Sequence, residues 1–597
     1  MKSLKYIAAA AIILLASCDL DETPKSQVSK DPVFTSTNGL ELYSHSFYDT
    51  FRGAGGVTFW NTSDVFINAG THQGGNTFYK NATSYTPQME GSWDWTRLRN
   101  INYFIVNNVS PQISASVRNN YNGIARFFRA WFYYDKMTEF GDVPWINRPL
   151  DINDEELTAP RDPRTLIADS IYADLEFAVN NITTTKDATS TTITKLVAAA
   201  FESRFCLWEG TYRKYCKSAG LQSTANTWLE RAQKAAEVVI NSGQYDVYTA
   251  DGARSFRDLF VATTPVNTET MLAVVYDRTQ GITHCESRIF NTNTIGDDYS
   301  PIRQVVNLFL KKDGTPWTDT PGYATTPFNE EWKDRDARAG YTFRVPGTTR
   351  ISNGQTIEVA PDYGCARTGY QGLKFALDDE YFDGNDVCDN NNIYFRYAEV
   401  LLNWAEAKAE LGTLTDADWA KSIGALRARG GITGGLTSKP TKVDTYLQKT
   451  FFPDITDPTI LEIRRERITE MMWEDGMDFH TCQRWQCGKL IELPAEGIYI
   501  PQLNTLLDMN NDGTPDVYFY TGDEPANKVS GVYYRHVQTY EECNGNYTID
   551  SAIGQDGHTL YYHLDLDRYQ WDDRMYFHPI SQSDITLNPN LTQNPGY

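Results

Sequence analysis

A chain of 597 residues with 41% hydrophobic and 13% aromatic content is long enough to bury a large core, in one domain or several. Its formal charge of −23, with no basic stripe, argues against a nucleic-acid partner, because phosphate binding needs clustered Lys and Arg. Nine cysteines without one C-x-x-C pair leave a zinc ribbon or a redox motif unsupported.

In chain order, Lys2 and Lys5 precede an apolar run over residues 7–16. That run is shorter than the roughly 20 residues a membrane-spanning helix needs, and it matches a secretory h-region behind a charged n-region. Leu15-Ala16-Ser17-Cys18 resembles the lipobox of bacterial lipoproteins, in which the cysteine is lipidated and becomes the first residue. The alternative is an ordinary signal peptide with an incidental cysteine. Residues 1–17 are thus expected as a lipoprotein signal peptide, 18–30 as a lipidated tether, and 31–597 as one domain whose N- and C-terminal parts intertwine. Two or more acyl chains anchor stably, at about 0.8 kcal/mol per buried CH₂. Asp19, Asp21 and Glu22 resemble the surface-export signal of Bacteroidetes lipoproteins; composition alone reads them as a solvated linker. The other eight cysteines allow 105 pairings and their spacing selects none, so buried thiols are the simple expectation.

Apolar residues at three- and four-residue steps predict a helix over 120–140, stopped by Gly141 and Pro144. Further helices are predicted over 163–181, 193–210 and 226–242, and a strand over 271–276. A helix is predicted over 392–412, with Tyr397, Leu401 and Trp404 on one face and Ala398 and Ala405 between them for close packing. Thr415 and Asp418 have capping-box spacing for a helix ending at Gly430-Gly431. Glu462 with Arg465, and Arg467 with Glu470, are i,i+3 partners expected as buried or semi-buried ion pairs; Arg126 and Arg129 are read the same way. No strict 34-residue period is present, which argues against a regular solenoid. Residues 244–375 and 490–575, rich in Gly, Pro, Asp, Asn and Tyr, read as long ordered loops carrying hairpins, where binding usually sits.

Several segments resemble signatures of the SusD/RagB family: CDLDETP at 18–24, WDWTRLRNINYF at 93–104, ARFFRAWFYYDKMTEFGDVPWI at 125–146, FRYAEVLLNWAEAKAELG at 395–412, IRRERITEMMWEDGMDFHTCQRW at 463–485 and MYFHPISQSDITLNPNLTQNPGY at 575–597. They fall in order along the chain; the final Tyr597 stands where the family usually closes with Trp. The resemblance implies a mainly α fold: a scaffold of four tetratricopeptide-like helix pairs under a ligand face of irregular loops and short β-hairpins. It also implies a lipid-anchored protein on the cell surface at the outer membrane. Such a protein binds glycans or, in some members, peptides, and delivers them to a SusC-type TonB-dependent transporter, without catalysis.

The residues themselves carry no G-x-S-x-G, H-E-x-x-H or Walker motif, so no catalytic residue is assigned. Paired carboxylates need no local motif, which keeps a surface glycoside hydrolase as the less favoured alternative, after peptide capture. No cofactor is required. Asp508, Asn510, Asp512 and Asp516, with Gly513 at the turn, place oxygens at the first, third, fifth and ninth positions of a calcium loop. The twelfth position is Phe519, where an EF-hand needs Glu, so the alternative is a loop of Asx turns. A flat Trp or Tyr covers the C–H face of a pyranose while nearby polar groups satisfy its hydroxyls. On that ground, and with the family's binding loops lying near 93–104, Trp60, Asp64, Trp93 and Trp95 are the expected glycan contacts. Arg99 and Asn102 are expected as hydrogen-bonding support, and Tyr299 and Trp317 as further contacts. For each Trp the alternative is a place in the core, and Asn102 lies inside a helical pattern.

Overall fold

Ser114 starts the longest helix by accepting the Val117 N–H at 3.3 Å, and Gly141, at φ 77, ends it in a backbone conformation that L side chains rarely adopt. The computed structural model describes residues 33–51, 93–292, 300–474, 479–543, 551–562 and 570–597. Within them the protein is mainly helical. The N-terminal half contains α1 (Thr37–His45), α2 (Thr96–Asn107), α3 (Ala115–Phe140), α4 (Arg164–Asn181), α5 (Lys195–Tyr215) and α6 (Ala225–Asn241). From α2 to α6 each helix packs on the next, as short connections between amphipathic helices favour. Gly210 permits the α5–α6 approach: a Cβ there would lie 2.9 Å from Leu229 Cγ and 3.0 Å from its backbone nitrogen. Three further helices, α7 (Tyr397–Glu410), α8 (Pro458–Glu470) and α9 (Phe479–Trp485), close on this array: α7 against α5 and α6, α8 against α7, and α9 against α5. One continuous apolar cluster runs through all of them. No helix among the described residues is long and apolar enough to cross a membrane.

Two elements differ from the periodicity reading. Residues 392–396 form a strand, β2 (Asn392–Arg396), antiparallel to β1 (Thr270–Val274), with Thr270 opposite Arg396 and Leu272 opposite Phe395. Ile393, Tyr394 and Phe395 are buried on both faces of the ribbon, a setting where β-branched and aromatic residues outweigh the helical spacing that continues from Tyr397. The helix begun by Thr415 has its capping box, yet it breaks at Ser422, whose hydroxyl bonds the Asp418 carbonyl at 2.7 Å, and restarts at Ile423.

The charged segment becomes α8, buried on every side. Glu462 and Arg465 pair at 3.1 Å as their spacing predicts. Arg467 and Glu470 do not pair: Arg467 reaches Glu406 on α7 at 3.0 Å, and Glu470 meets Arg338 at 2.7 Å and Arg396 at 2.5 Å as well as Arg429. A helix enclosed by other elements offers each charge a tertiary partner, which local spacing cannot anticipate. Arg129 is structural as expected, holding Asp174 with two bonds at 2.6 and 2.7 Å.

The loop-rich stretches carry short sheets. Thr349–Ser352 and Gln355–Glu358 form a hairpin across Asn353-Gly354, both at positive φ, the turn that a two-residue connection requires. Two three-stranded sheets lie in 496–562, and one joins strands far apart in sequence, Glu496–Tyr499 with Thr559–Tyr562. None of the eight cysteines among the described residues is in a disulfide, and six of them are buried.

Candidate functional site

Asp94 accepts the Thr96 N–H at 2.9 Å and its hydroxyl at 2.6 Å, a local turn that starts α2 and holds the Asp94 carboxyl below its ordinary range. Trp93 and Trp95 flank Asp94 in this turn. Their rings lie 5.3 Å apart at 76°, Trp93 against Phe140 at 5.0 Å and Trp95 against Phe132 at 5.6 Å. The core aromatics fix each indole by an edge or a tilted face, and both remain half-buried. The two indoles line a cavity of about 470 Å³, within the range of small-ligand sites.

The rest of the wall comes from two other parts of the chain: residues 144–159 after α3, and the C-terminal helix Gln582–Leu587 with the turn behind it. Arg161 donates to the Thr592 carbonyl at 2.8 Å, Asn588 to Ala159 at 2.8 Å, and Asn590 to Thr158 at 2.7 Å, so polar contacts across more than 400 residues seat the C-terminus. At the rim, Arg148 pairs with Asp154 at 2.7 Å and Glu156 at 2.8 Å, which holds both carboxyls below their ordinary range. Asp584 faces the cavity beside the exposed apolar side chains of Leu157 and Leu587.

Four of the expected residues meet at this cavity: Trp93, Trp95, Arg99 and Asn102. Arg99 is exposed and donates to the Leu150 carbonyl. Asn102 is fully buried and its amide is committed, donating to Ile146 O at 2.9 Å and accepting from Arg129 at 3.1 Å. These two bonds tie it to the wall of the cavity, which it also lines. Trp317 is corrected: it is 5% exposed, with the Arg335 guanidinium 4.6 Å from its ring, so burial removes the face a sugar would cover, and it does not line the cavity. Trp60, Asp64, Tyr299 and Cys18 lie outside the described residues. Sequence reasoning missed Arg148, Glu156, Leu157, Asp584 and Leu587, because no local pattern announces that residues 156 and 587 share a wall.

The loop 508–516 closes in Asx turns. Asp508 accepts from Asn511 N at 2.7 Å and Gly513 N at 2.8 Å, Asp512 from Thr514 N at 2.7 Å, and Asp516 from Met509 N at 2.7 Å. Asn510 exchanges bonds with Asp512. Among the described residues, no three His, Cys, Asp or Glu side chains are grouped to hold a metal ion. The carboxylates of Asp508, Asp512 and Asp516 thus accept backbone N–H groups within the loop. Burial, with the charges of Asp512 and Asp508, pushes the Asp516 carboxyl up to about 6 against the Met509 N–H bond that lowers it. A carboxyl raised on folding adds stability below its unfolded range, and that stability is lost as pH rises through about 6. Asp516→Asn, whose carboxamide oxygen still accepts from Met509, is therefore expected to gain in Tm over the wild type as pH rises from about 4 to about 7 in EDTA. A Tm difference that does not move with pH would refute this.

The strongly raised acids Glu202, Glu286 and Glu331, pushed by burial to about 8, 8 and 7, do not line the cavity.

Comparison with known proteins agrees with this architecture. The family model described as "SusD family" matches residues 268–597, and one described as "Starch-binding associating with outer membrane" matches residues 57–197. The cavity draws its walls from both stretches. A SusD-like protein P38 of Formosa agariphila is 24% identical over 446 residues, covering 70% of this chain and 81% of that protein. Among solved structures, a SusD-like protein of Bacteroides fragilis superposes with a TM-score of 0.66 at 19% identity, over 96% of this chain and 100% of that one. A SusD-like carbohydrate-binding protein of the same organism superposes with a TM-score of 0.63 at 19% identity, over 94% and 100%. With a family model matched over more than half its length and a fold shared along nearly all of it, this chain belongs to the SusD family.

Proposed function

We propose that this protein is a non-catalytic glycan-binding lipoprotein, held at the outer cell surface through Cys18, that presents saccharide to a SusC-type TonB-dependent transporter. The observation that carries the reading is the pair of half-buried indoles, Trp93 and Trp95, at one wall of the cavity with Arg99, Arg148, Glu156 and Asp584 around it. Two rings at 76° give a pyranose a C–H surface and an edge to turn against, while the guanidinium and carboxylate groups supply donors and acceptors for hydroxyls. The family description, starch binding in association with the outer membrane, supports the ligand class and the location. The lipobox resemblance at Leu15-Ala16-Ser17-Cys18 supports the anchor.

Affinity electrophoresis of residues 19–597 against plant, fungal, host and bacterial polysaccharides tests it. Retardation by at least one polysaccharide, with no release of reducing sugar, is the expected outcome. Retardation by none would transfer the reading to peptide capture, and release of reducing sugar would make the protein a hydrolase.

A further inference from the structure

Cysteine spacing selects no pairing in the sequence, but the turn behind α9 brings two cysteines together. Gln486, just past the end of the helix, stands at φ 54, a left-handed conformation uncommon for a residue with a side chain. The Cys487 N–H bonds the Cys482 carbonyl at 3.1 Å, and the Gln486 N–H bonds the Gln483 carbonyl at 3.4 Å. These nested bonds make a Schellman ending, in which the residue two places past the cap meets the residue three places before it. Here those residues are Cys487 and Cys482. Cys487 Sγ lies 3.7 Å from the Cys482 carbonyl oxygen, so its side chain folds back over the helix end. The 3.1 Å backbone bond by itself holds the two α-carbons within about 7 Å, the outer limit for a disulfide.

The same turn carries contacts to the C-terminal segment. Gln483 donates to the Tyr576 carbonyl at 2.7 Å and to the Thr138 carbonyl on α3 at 3.0 Å. Tyr576 Oη accepts the Gly488 N–H at 2.9 Å, and a Cβ on Gly488 would lie 2.0 Å from the Trp571 ring. Burial foremost, then Cys482 and Cys487, push the Tyr576 hydroxyl well above its ordinary range, so both sulfurs bear on one group. The turn seats residues 571–576, and the chain runs on from there to the C-terminal wall of the cavity. Cys482 is fully buried, while Cys487 is partly exposed and open to a reagent.

We propose that Cys482 and Cys487 form a modification site, closing to an intramolecular disulfide that fastens the end of α9. The oxidant is a disulfide, carried by a small thiol or by a thiol–disulfide exchange protein. Cys487, as its thiolate, attacks one sulfur of that disulfide, forms a mixed disulfide and expels the first thiol. Cys482 then attacks Cys487 Sγ and expels the second. One S–S bond forms in the protein and one breaks in the oxidant, which takes up two electrons and two protons and leaves as two thiols. Such oxidants meet a chain outside the cytosol, so closure in the cell rests on the surface location proposed above. In vitro an added disulfide replaces them, which keeps a failure of the pair separate from a failure of that location.

Residues 19–597, reduced and desalted, are incubated with oxidised glutathione, quenched and denatured in N-ethylmaleimide, and mapped by peptide mass spectrometry beside Cys482→Ser and Cys487→Ser. The wild type is expected to lose two of its eight reactive thiols, to retain no glutathione, and to give a peptide in which Cys482 and Cys487 are linked. Cys482→Ser is expected to stop at the first step, with glutathione held on Cys487. Cys487→Ser is expected to leave the buried Cys482 unoxidised and labelled by maleimide. All eight thiols still labelled in the wild type, a lasting glutathione adduct on its Cys487, or a link between other cysteines in place of this one would overturn the site.

Discussion

Glu470→Gln is expected to destabilise the protein by about 3–5 kcal/mol, the cost of removing one partner from a buried charge cluster. Burial alone would raise the Glu470 carboxyl, but Arg429, Arg396 and Arg338 hold it well below the ordinary range. Neutralising it leaves three guanidiniums in a setting where Arg338, Arg396 and Arg429 are each 3% exposed or less. Glu269, Glu466, Glu474 and Asp336 remain nearby and compensate only in part. The exposed Lys528–Glu524 pair, about half accessible on both sides, is the control: Glu524→Gln is expected to leave stability nearly unchanged, because water screens the pair. Urea unfolding of both variants measures the contrast. A Glu470→Gln effect no larger than that of Glu524→Gln would mean that the cluster relaxes around the loss.

Trp95→Ala is expected to lower affinity by about 10–100-fold for whichever polysaccharide retards the wild type, the range that about 1.4–2.8 kcal/mol gives. The indole contributes a ring wall that alanine does not replace, and it also supports Trp93 at 5.3 Å. Some stability is lost as well, since the ring packs on Phe132 and lies 6.2 Å from Tyr133. Trp95→Phe keeps an aromatic ring on that support and is expected to recover stability more fully than affinity. Isothermal titration and thermal unfolding of the two variants separate these effects. Unchanged affinity with a collapsed Tm would place Trp95 in the core and the ligand elsewhere.

The helices α3 to α6 were legible in the chain because their apolar spacing, end glycines and caps are properties of neighbouring residues. The capping box at Thr415 and Asp418 was legible for the same reason. The strand at 392–396 was not: its helical spacing runs unbroken into α7, and only the presence of β1 alongside makes a ladder possible. The fate of Arg467 and Glu470 followed the same rule. Their spacing permits a pair, but Glu406, Arg338 and Arg396 on other elements offer closer partners once α8 is enclosed.

At the site the division is sharper. Trp93, Trp95 and Arg99 could be chosen from the sequence because a dense aromatic segment at the start of a helix is itself a local pattern. Composition cannot tell an indole that lines a cavity from one that lies under an arginine, and so it could not show that Trp317 is buried. The sequence by itself determined the family resemblance, the helical scaffold and the segment that carries the indoles, since each rests on residues within a few turns of one another. Only the tertiary structure decided that Glu156 and Asp584 share a wall with them and that Asn102 bonds Ile146 and Arg129. Those facts depend on contacts between residues tens to hundreds of positions apart, and burial, which sets their energy, does not exist until the chain has folded.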